Sequence, residues 1–494
     1  MGKFYTISLA TFAATGSFLF GYDSGVMTDV IASPNFLNYF NTTQESDIIG
    51  AINSTFSGGA AIGALTAGLT IDRFGRRSTI QLGAALATIG AVLQCAAQNL
   101  AMILVGRIVA GWAVGVLSMS VPVYQAECAH PKTRGLIVGL SQQMIGVGFI
   151  VSTWIGYGSL HASDSSTVQW RFPLAFQCIP AFMLCIGMFW LPESPRHLIE
   201  RDQDDKAMRI LKRLHYDGTN VEWIQTEFAE IKATITAEQA ITEPGWTIMF
   251  KVPQWRTRLL QGTLVQVSAQ MTGINVINYY QNIMYKALGI VGNKATLVSG
   301  IYNVVGPLTN LIFITFFLDR VGRRRPLLFG AAAITIALVC EGALNSQNLD
   351  GSNHGYSIGG VFFLFCVTVL YSMSFGSISW VYMSEVMPMQ IRGKGVAFAT
   401  GVGNWTVSTL WSQVSPIALG KIGWKFYFIF AAWNVCVTIP IIYFWFKETK
   451  QKSLEEIDIL FGGRALGALD NEISSKALEM ETSGTTRQVE DVTV

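Results

Sequence analysis

Long apolar segments alternate with short polar loops over most of this chain. Twelve of these segments contain about the 20 apolar residues that an α-helix needs to cross a bilayer. They lie near residues 8–28, 48–70, 79–98, 101–124, 136–158, 173–191, 259–282, 296–318, 326–345, 358–384, 394–419 and 425–446. The pattern therefore predicts twelve transmembrane helices, which we call spans one to twelve.

A charged hexapeptide follows span two and returns after span eight. It is D-R-F-G-R-R at residues 72–77 and D-R-V-G-R-R at residues 319–324. A second motif, Glu127 followed by Arg134-Gly135, is repeated as Glu385 followed by Arg392-Gly393. Motifs that repeat in the same order indicate an internal duplication. We therefore expect an all-α membrane protein with two pseudo-two-fold-related six-helix bundles.

Polar segments divide the chain into four parts. We expect an N-terminal bundle at 1–191, a cytoplasmic insert of amphipathic helices at 192–258, a C-terminal bundle at 259–446 and a cytoplasmic, largely disordered tail at 447–494. Lys and Arg are absent between Lys3 and Arg73 and frequent after spans two, four, six and eight. Because cytoplasmic loops are enriched in Lys and Arg, both termini are predicted to be cytoplasmic.

The composition narrows the function classes. Hydrophobic residues make up 51% of the chain and charged residues 13%, against about 25% charged residues in soluble proteins. The net charge of +2 is spread over separate loops, so no nucleic-acid partner is expected. The seven Cys lack the paired spacing of a metal site or a disulfide framework, and no Ser/His/Asp or Cys/His arrangement is present. We expect no metal, no cofactor and no enzymatic activity.

Several motifs resemble those of a known family. They are Gly21-Tyr22-Asp23 in span one, the two charged hexapeptides, the repeated Glu/Arg motif, P-E-S-P-R at 192–196 and Q-M-T-G-I-N at 270–275. Together they resemble the sugar porter family of the major facilitator superfamily, in particular its fungal monosaccharide transporters. The resemblance implies the major facilitator fold and a multi-pass protein of the plasma membrane.

The chain departs from the family pattern at four places. These are Ala269 where the family usually has Gln, G-S-I-S-W at 376–380, K-E-T-K-Q at 447–451, and Pro307 where span eight often has Asn. The departures preserve the expected fold and leave the identity of the sugar open.

A charged pair is predicted within the membrane. Asp23 lies near the outer end of span one, and Arg107 lies at a similar depth in span four, which runs in the opposite direction. An ionisable residue inside a span is a candidate functional group, and in the resembling proton symporters a carboxylate at this place pairs with the Arg of span four. Asp23 is the predicted proton site and Arg107 its switch; the alternative is that both are structural.

A sugar site needs groups that both donate and accept hydrogen bonds, together with aromatic faces. Gln270, Asn275 and Asn278 lie in span seven on both sides of Gly273, a residue that permits a break in the helix. The full set of predicted sugar ligands is Gln142, Gln270, Asn275, Asn278, Trp380, Asn404 and Trp405. Tyr279 and Tyr280 match the family's outer gate, or alternatively anchor span seven at the membrane interface.

Charged residues at the cytoplasmic ends of the spans can form ion pairs that lock the inner ends of the two bundles together. We call this predicted network the cytoplasmic latch; it comprises Asp72, Arg73, Arg76, Arg77, Glu127, Arg134, Glu193, Arg196, Asp319, Arg320, Arg323, Arg324, Glu385 and Arg392. On the predicted outer face, Asn41-Thr42-Thr43 is an acceptor sequon for glycosylation.

These observations favour proton-coupled transport of a monosaccharide, a hexose or a pentose, by alternating access. The predicted partners are the sugar, the proton and the lipid bilayer, and the protein is expected to be a monomer. One alternative is a facilitated uniporter, although the resembling uniporters tend to have a neutral residue in place of Asp23. Another is a sugar sensor without transport, although such sensors usually have a much longer cytoplasmic tail.

Overall fold

The computed structural model describes most of the chain. The described residues are 2–44, 46–130, 134–216, 218–241, 246–290, 292–348, 353–388, 391–450, 452, 457 and 459–461. Within them the regular secondary structure is helical. The predicted disordered tail from Gly462 onward lies outside the described residues.

The six spans of the first half are helical. Span one comprises Gly2–Ala13 and Thr15–Val30; spans two to five are Asp47–Phe74, Arg76–Cys95, Leu100–Cys128 and Arg134–Ser159; span six comprises Val168–Phe176 and Cys178–Gly187. A short helix, Pro34–Tyr39, follows span one, and the Ser33 side chain caps it by accepting a hydrogen bond from the backbone N–H of Phe36.

The spans of the second half are more interrupted. Span seven comprises Pro253–Gln270 and Ile274–Ala287; span eight is Asn293–Phe316; span nine is Arg324–Gln347; span ten comprises His354–Tyr371, Ser372–Gly376 and Ser377–Val386; span eleven comprises Arg392–Phe398, Ala399–Thr406 and Val407–Ile422; and span twelve comprises Phe426–Trp433, Asn434–Thr438 and Ile439–Phe444. The middle segments of spans ten, eleven and twelve are π-helical, and such turns are frequent at functional sites.

Four short helices lie between the halves: Pro195–Glu200, Asp204–His215, Val221–Ile241 and Ile248–Lys251. Asp204–His215 is amphipathic, with acidic residues in its first turn and basic residues in its last turn, an arrangement that complements the helix dipole. The backbone O of Leu214 accepts a hydrogen bond from Thr6 Oγ1. The start of span one therefore contacts the insert.

Eight helices of the described chain are long and apolar enough to cross a membrane. One of them, Arg392–Phe444, includes both span eleven and span twelve. Spans one and seven are each divided into two shorter helices. The chain is a multi-pass membrane protein.

The two hexapeptide loops define one end of the molecule, which we call the charged end. The turn in the first loop is made by Gly75, whose φ of 91° is in the left-handed region, and the turn in the second by Gly322, whose φ is 88°. These φ values favour glycine because L-residues with a side chain rarely adopt them. The other end of the molecule, where span one ends and span seven contacts it, is called the opposite end.

Candidate functional site

Three side-chain amides meet between spans seven and eleven. Gln270 Nε2 donates to Asn404 Oδ1, and Asn275 Nδ2 donates to Gln270 Oε1 at 2.5 Å and to Ser408 Oγ at 3.5 Å. Gln270 and Asn404 are buried, and Asn275 is half-buried. We call Gln270, Asn275 and Asn404 the amide cluster. Its groups both donate and accept hydrogen bonds, which is what a ligand rich in hydroxyl groups requires.

Two irregular backbone segments bring these amides together. Gly273 has a φ of 81° and separates the two helices of span seven, so the break expected there is present. Asn404 and Trp405 lie in the π-helical segment of span eleven. Because a π-turn widens the helix, it changes the direction in which neighbouring side chains point. The amides therefore converge although they come from helices that are far apart in sequence.

Asp23 and Arg107 are neighbours in the interior of the first half. Arg107 Nη1 donates to the backbone O of Asp23 at 3.1 Å, and Arg107 Nε donates to the backbone O of Ile52 at 3.3 Å. Both residues are buried, with exposed fractions of 2% for Asp23 and 0% for Arg107. The Oδ1 of Asp23 and the Nη2 of Arg107 have no hydrogen-bond partner. The guanidinium is thus held beside Asp23 through its main chain.

An aromatic contact links Arg107 to the second half. The guanidinium lies 4.1 Å from the centroid of the Phe56 ring. The Phe56 ring packs edge-on against the Trp405 ring, with 6.2 Å between the ring centroids. Phe20 also packs against Trp405, at 5.2 Å. Trp405 follows Asn404 directly in the chain. Asp23, Arg107, Phe56 and Trp405 therefore form a series of contacts that runs from the backbone of Asp23 to the residue next to Asn404 of the amide cluster.

The tyrosine pair of span seven is buried at the seam between the halves. Tyr280 Oη donates to the backbone O of Ser412 at 2.6 Å and accepts from Asn53 Nδ2 at 3.1 Å. The exposed fractions are 5% for Tyr279 and 1% for Tyr280. Tyr280 has a non-helical φ of −124° and so interrupts its helix. Thus Tyr280 connects span two of the first half with span eleven of the second half.

The remaining predicted sugar ligands lie outside the amide cluster. Gln142, Asn278 and Trp380 are half-buried, and their side chains make no hydrogen bond to the cluster. Gln143, beside Gln142, donates instead to the backbone O of Pro307 at 3.3 Å. Asn41 is exposed, as an acceptor for glycosylation must be.

At the charged end, Arg76 is the centre of a cluster in the first half. It forms ion pairs with Glu127 at 2.9 Å and Glu200 at 3.0 Å, and its Nη1 donates to His197 Nδ1 at 2.9 Å. Glu193 accepts hydrogen bonds from the backbone N–H groups of Arg76 and Arg77 at 2.9 and 3.1 Å. The Glu193 carboxylate thus lies at the N-terminus of the helix Arg76–Cys95, where a negative charge complements the helix dipole.

The same arrangement recurs in the second half. Arg323 forms an ion pair with Glu385 at 2.9 Å, and Glu448 accepts from the backbone N–H groups of Arg323 and Arg324 at 2.9 and 3.0 Å. Thr449 Oγ1 donates to Glu385 at 2.7 Å, as Ser194 Oγ donates to Glu127. The internal duplication seen in the sequence therefore extends to hydrogen-bond geometry.

The other residues of the predicted latch are more peripheral. In the first half, the backbone O atoms of Asp72 and Arg73 accept hydrogen bonds from Arg201, and Arg77 donates to the backbone O of Phe189. The Arg196 side chain lies 3.7 Å from that of Glu200. In the second half, the backbone O of Arg320 accepts from Lys450, Arg324 donates to the backbone O of Ile442, and Arg392 donates to that of Met387. The side chains of Arg134 and Asp319 lie outside the described part of the structure. Within the described residues, the ion pairs of Arg76 join spans three and four to the insert helix Pro195–Glu200, and the ion pair of Arg323 joins two residues of the second half.

The family model described as "Sugar (and other) transporter" matches residues 9–461. The chain belongs to this family. This transporter is 38% identical to the MFS-type transporter criB of Aspergillus cristatus, over 93% of this chain and 94% of that protein. It is 32% identical to the high-affinity glucose transporter of Kluyveromyces lactis, over 90% and 83%, and 31% identical to the probable quinate permease of Aspergillus niger, over 98% and 95%.

Solved structures share the same fold. The proton:xylose symporter XylE, bound to 6-bromo-6-deoxy-D-glucose, is 24% identical and has a TM-score of 0.78 over 93% of this chain and 100% of that chain. The inward open conformation of the xylose transporter XylE from E. coli is 25% identical, with a TM-score of 0.74 over 92% and 100%. The predicted major facilitator fold is confirmed, and this sugar transporter is not an enzyme.

Three acidic residues of this transporter were missed or misplaced by sequence reasoning. The predicted end of span one at residue 28 would place Asp29 in the following loop, but the helix continues to Val30 and Asp29 is buried. Glu341 in span nine is buried and had not been considered. Glu448 is not among the residues of the predicted latch, although its position one residue before Thr449 repeats that of Glu193 before Ser194. That repeat was the available signal.

Proposed function

We propose that this chain is a proton-coupled monosaccharide symporter that works by alternating access. The observation behind the proposal is the path from Asp23 through Arg107 and Phe56 to Trp405, beside the amide cluster. A proton-binding group and a sugar-binding group must influence each other if the two substrates are to move together. Here they are joined by direct contacts.

The chemistry of coupling follows from the burial of Asp23. An ionised carboxylate without a partner in a low-dielectric interior is costly, by several kcal/mol. If Arg107 rotates to pair with the carboxylate, the ionised form is stabilised. In the observed arrangement Arg107 donates to the backbone O of Asp23 and not to its carboxylate, and the protonated form is favoured. Movement of Arg107 with its aromatic neighbours therefore exchanges a proton.

The amide cluster supports a neutral, hydroxyl-rich substrate. Gln270, Asn275 and Asn404 are uncharged and can each donate and accept hydrogen bonds, whereas quinate is a carboxylate and would require a cation. Arg107 is already occupied by two backbone carbonyl groups. A monosaccharide, a hexose or a pentose, is therefore the proposed substrate. In the resting arrangement the three amides of the cluster hydrogen-bond to one another, and the sugar would replace these contacts.

For orientation we propose that the charged end faces the cytoplasm and that the protein resides in the plasma membrane with both termini inside. The clustering of Arg and Lys in the loops of that end supports this orientation. The ion-pair clusters at Arg76 and Arg323 would then stiffen the inner end of each half, and the contacts of Tyr280 would close the outer seam.

The test of this function is sugar uptake by cells that lack their own sugar transporters. We expect cells expressing this chain to accumulate a labelled monosaccharide, and a protonophore to abolish the accumulation. Asp23→Asn should lose accumulation by at least about tenfold, because the amide cannot bind and release a proton in this pH range, while downhill sugar exchange continues. Labelled quinate, supplied in parallel, should enter poorly.

Asp47→Asn is the matched control. Asp47 begins span two at the opposite end and is exposed, so the same change of charge there should leave accumulation unaltered. Accumulation that persists in Asp23→Asn, or wild-type uptake that ignores the protonophore, would show facilitated diffusion instead of symport.

A further inference from the structure

A second buried carboxylate lies at the opposite end of the molecule. Asp29 is in the last turn of span one and is 2% exposed. Neither of its carboxylate oxygens has a partner in hydrogen-bonding geometry, although the Asn282 amide of span seven lies close enough to interact with the carboxylate. Buried polar groups in folded proteins are nearly always hydrogen-bonded, so this residue requires an explanation that its surroundings must provide.

Span five packs directly against the Asp29 carboxylate. A Cβ atom at Gly156 would lie 2.4 Å from Asp29 Oδ2, so only glycine leaves room for the carboxylate at this position. Span seven of the other half covers the same place. Asn282 Nδ2 donates to the backbone O of Thr28 at 3.0 Å, and Thr28 Oγ1 donates to the backbone O of Asn278 at 3.0 Å. Asp29 is thus enclosed where the two halves meet.

The enclosure contains no charge that would stabilise an ionised Asp29. Span seven contributes the Asn282 amide and span five the Gly156 backbone, and within the described residues no ion pair includes Asp29. The titratable group that shares its surroundings is Tyr22 on the same span, whose hydroxyl already donates to the backbone O of Pro173 at 2.8 Å. Without a cation, the closed arrangement accommodates the neutral carboxylic acid far better than the carboxylate.

We propose that Asp29 is a second proton-binding site, one that makes closure of the outer seam dependent on external pH. The inference rests on the proposed symport and orientation. When span seven moves away from span one, water reaches the carboxylate and it ionises. When the seam closes, the carboxylate binds a proton from the outer solution to give the neutral acid, and the same proton returns to that solution when the seam reopens.

This role differs from that of Asp23. No guanidinium lies beside Asp29 to displace its proton toward the inside, so the proton on Asp29 is not transported. Asp29 therefore adds a proton to the closing step without changing the number of protons that cross the membrane with each sugar. Loss of Asp29 should alter the external pH dependence of uptake and leave the accumulation ratio unchanged.

The experiment compares initial rates of labelled monosaccharide uptake over external pH values of about 5 to 8 in cells expressing wild type, Asp29→Asn or Asp29→Glu. An obligatory proton changes a rate by up to about tenfold per pH unit. Asp29→Asn should therefore have a pH profile that is shallower by as much as tenfold per unit, with uptake retained at high pH. Asp29→Glu, which keeps an ionisable group, should restore a steep profile.

Asn282→Ala changes the surroundings of Asp29 through a residue of the second half. Removal of the amide lets water reach Asp29 in the closed arrangement, so that protonation is no longer tied to closure and the profile again becomes shallower. This variant serves if Asp29→Asn does not reach the cell surface. Asp47→Asn, a loss of the same charge at an exposed position of the same end, should have the wild-type profile.

The outcomes separate this inference from the proposed function. If wild-type accumulation resists a protonophore, symport fails. If wild type is protonophore-sensitive but Asp29→Asn and Asn282→Ala have the wild-type pH profile, the role of Asp29 is overturned. If Asp29→Asn abolishes accumulation as Asp23→Asn does, Asp29 binds the transported proton, and the inference that its proton returns to the outer solution is wrong.

Discussion

Single residues of this transporter differ greatly in what their charge accomplishes, because they differ in burial. Arg73 and Arg76 belong to the same hexapeptide, yet Arg73 is exposed and Arg76 is 5% exposed. Exposed ion pairs contribute about 0–1 kcal/mol, whereas removing one partner of a buried pair costs about 3–5 kcal/mol. The charged loop therefore depends mainly on Arg76.

The pKa of Glu200 is also set by single neighbouring residues. Burial alone would raise the pKa of Glu200, but the neighbouring His197 and the Arg76 guanidinium outweigh burial and lower it to about 2. A lowered pKa stabilises the folded protein above the ordinary value of 4.5, and this contribution is lost only as the pH falls through about 2. At neutral pH the pair with Arg76 is therefore fully ionised.

We expect Arg76→Ala to slow sugar uptake by about tenfold or more, because Glu127 and Glu200 lose a buried partner. The order of preference among sugars should not change, since Arg76 is remote from the amide cluster. The measurement is uptake of a panel of labelled sugars, corrected for the amount of protein at the surface.

Arg73→Ala is the control, because Arg73 is exposed and its guanidinium lies over the ring of the neighbouring Phe74. In the wild-type protein Glu200 stays ionised at pH values of about 6 to 8 on the side of the charged end, so its pair with Arg76 should not make uptake depend on pH over that range. An altered sugar preference in Arg76→Ala would contradict the separation of the charged end from the sugar site.

At the scale of elements, the breaks within spans position the site more than the regular helices do. Gly273 allows Gln270 and Asn275 to meet across the interruption of span seven, and the π-helical segment of span eleven directs Asn404 toward them. An uninterrupted helix would place Gln270 and Asn275 on different faces, since five residues rotate the chain by about 500°.

Gly273→Ala should therefore weaken sugar uptake. A residue with a side chain costs about 1–2 kcal/mol at a left-handed φ, and its Cβ would lie 3.2 Å from the ring of Phe430. We expect a rise in the apparent KM for the sugar and a lower Tm of the purified protein.

Gly58→Ala provides the comparison. Gly58 lies in the helix of span two, where the nearest atom to an added Cβ would be 3.7 Å away, so uptake and Tm should remain near the wild-type values. If both variants behave alike, the break at Gly273 is not what positions the amides.

At the scale of the whole molecule, the insert contacts the seam between the halves. Trp246 packs against Gly68 of span two: a Cβ atom built onto Gly68 would lie 3.3 Å from the Trp246 ring. The ring also belongs to a small apolar cluster with Ala67, Val116 and Ala397 of spans two, four and eleven. A single aromatic side chain of the insert thus touches both halves at the charged end.

We expect Trp246→Ala to favour separation of the halves at the charged end, because it removes apolar contact that exists only when they are close. Uptake from outside should slow by severalfold, while Trp246→Phe should retain most of the rate. Uptake at the wild-type rate in Trp246→Ala would show that the contact is incidental to transport.

The sequence by itself determined the number and order of the spans, the duplication and the family, because long apolar segments must become helices in a bilayer and repeated motifs record repeated structure. It also identified Asp23, Arg107, Gln270, Asn275 and Asn404 as candidates, from the cost of burying such groups.

Only the tertiary structure decided which of these groups touch. It placed Arg107 on the backbone of Asp23, paired Arg76 with both span four and the insert, and enclosed Asp29, which lies just beyond the predicted end of span one. Such contacts depend on helix rotation, on breaks at single residues and on packing between distant segments. Local hydrophobic patterns do not encode these three properties.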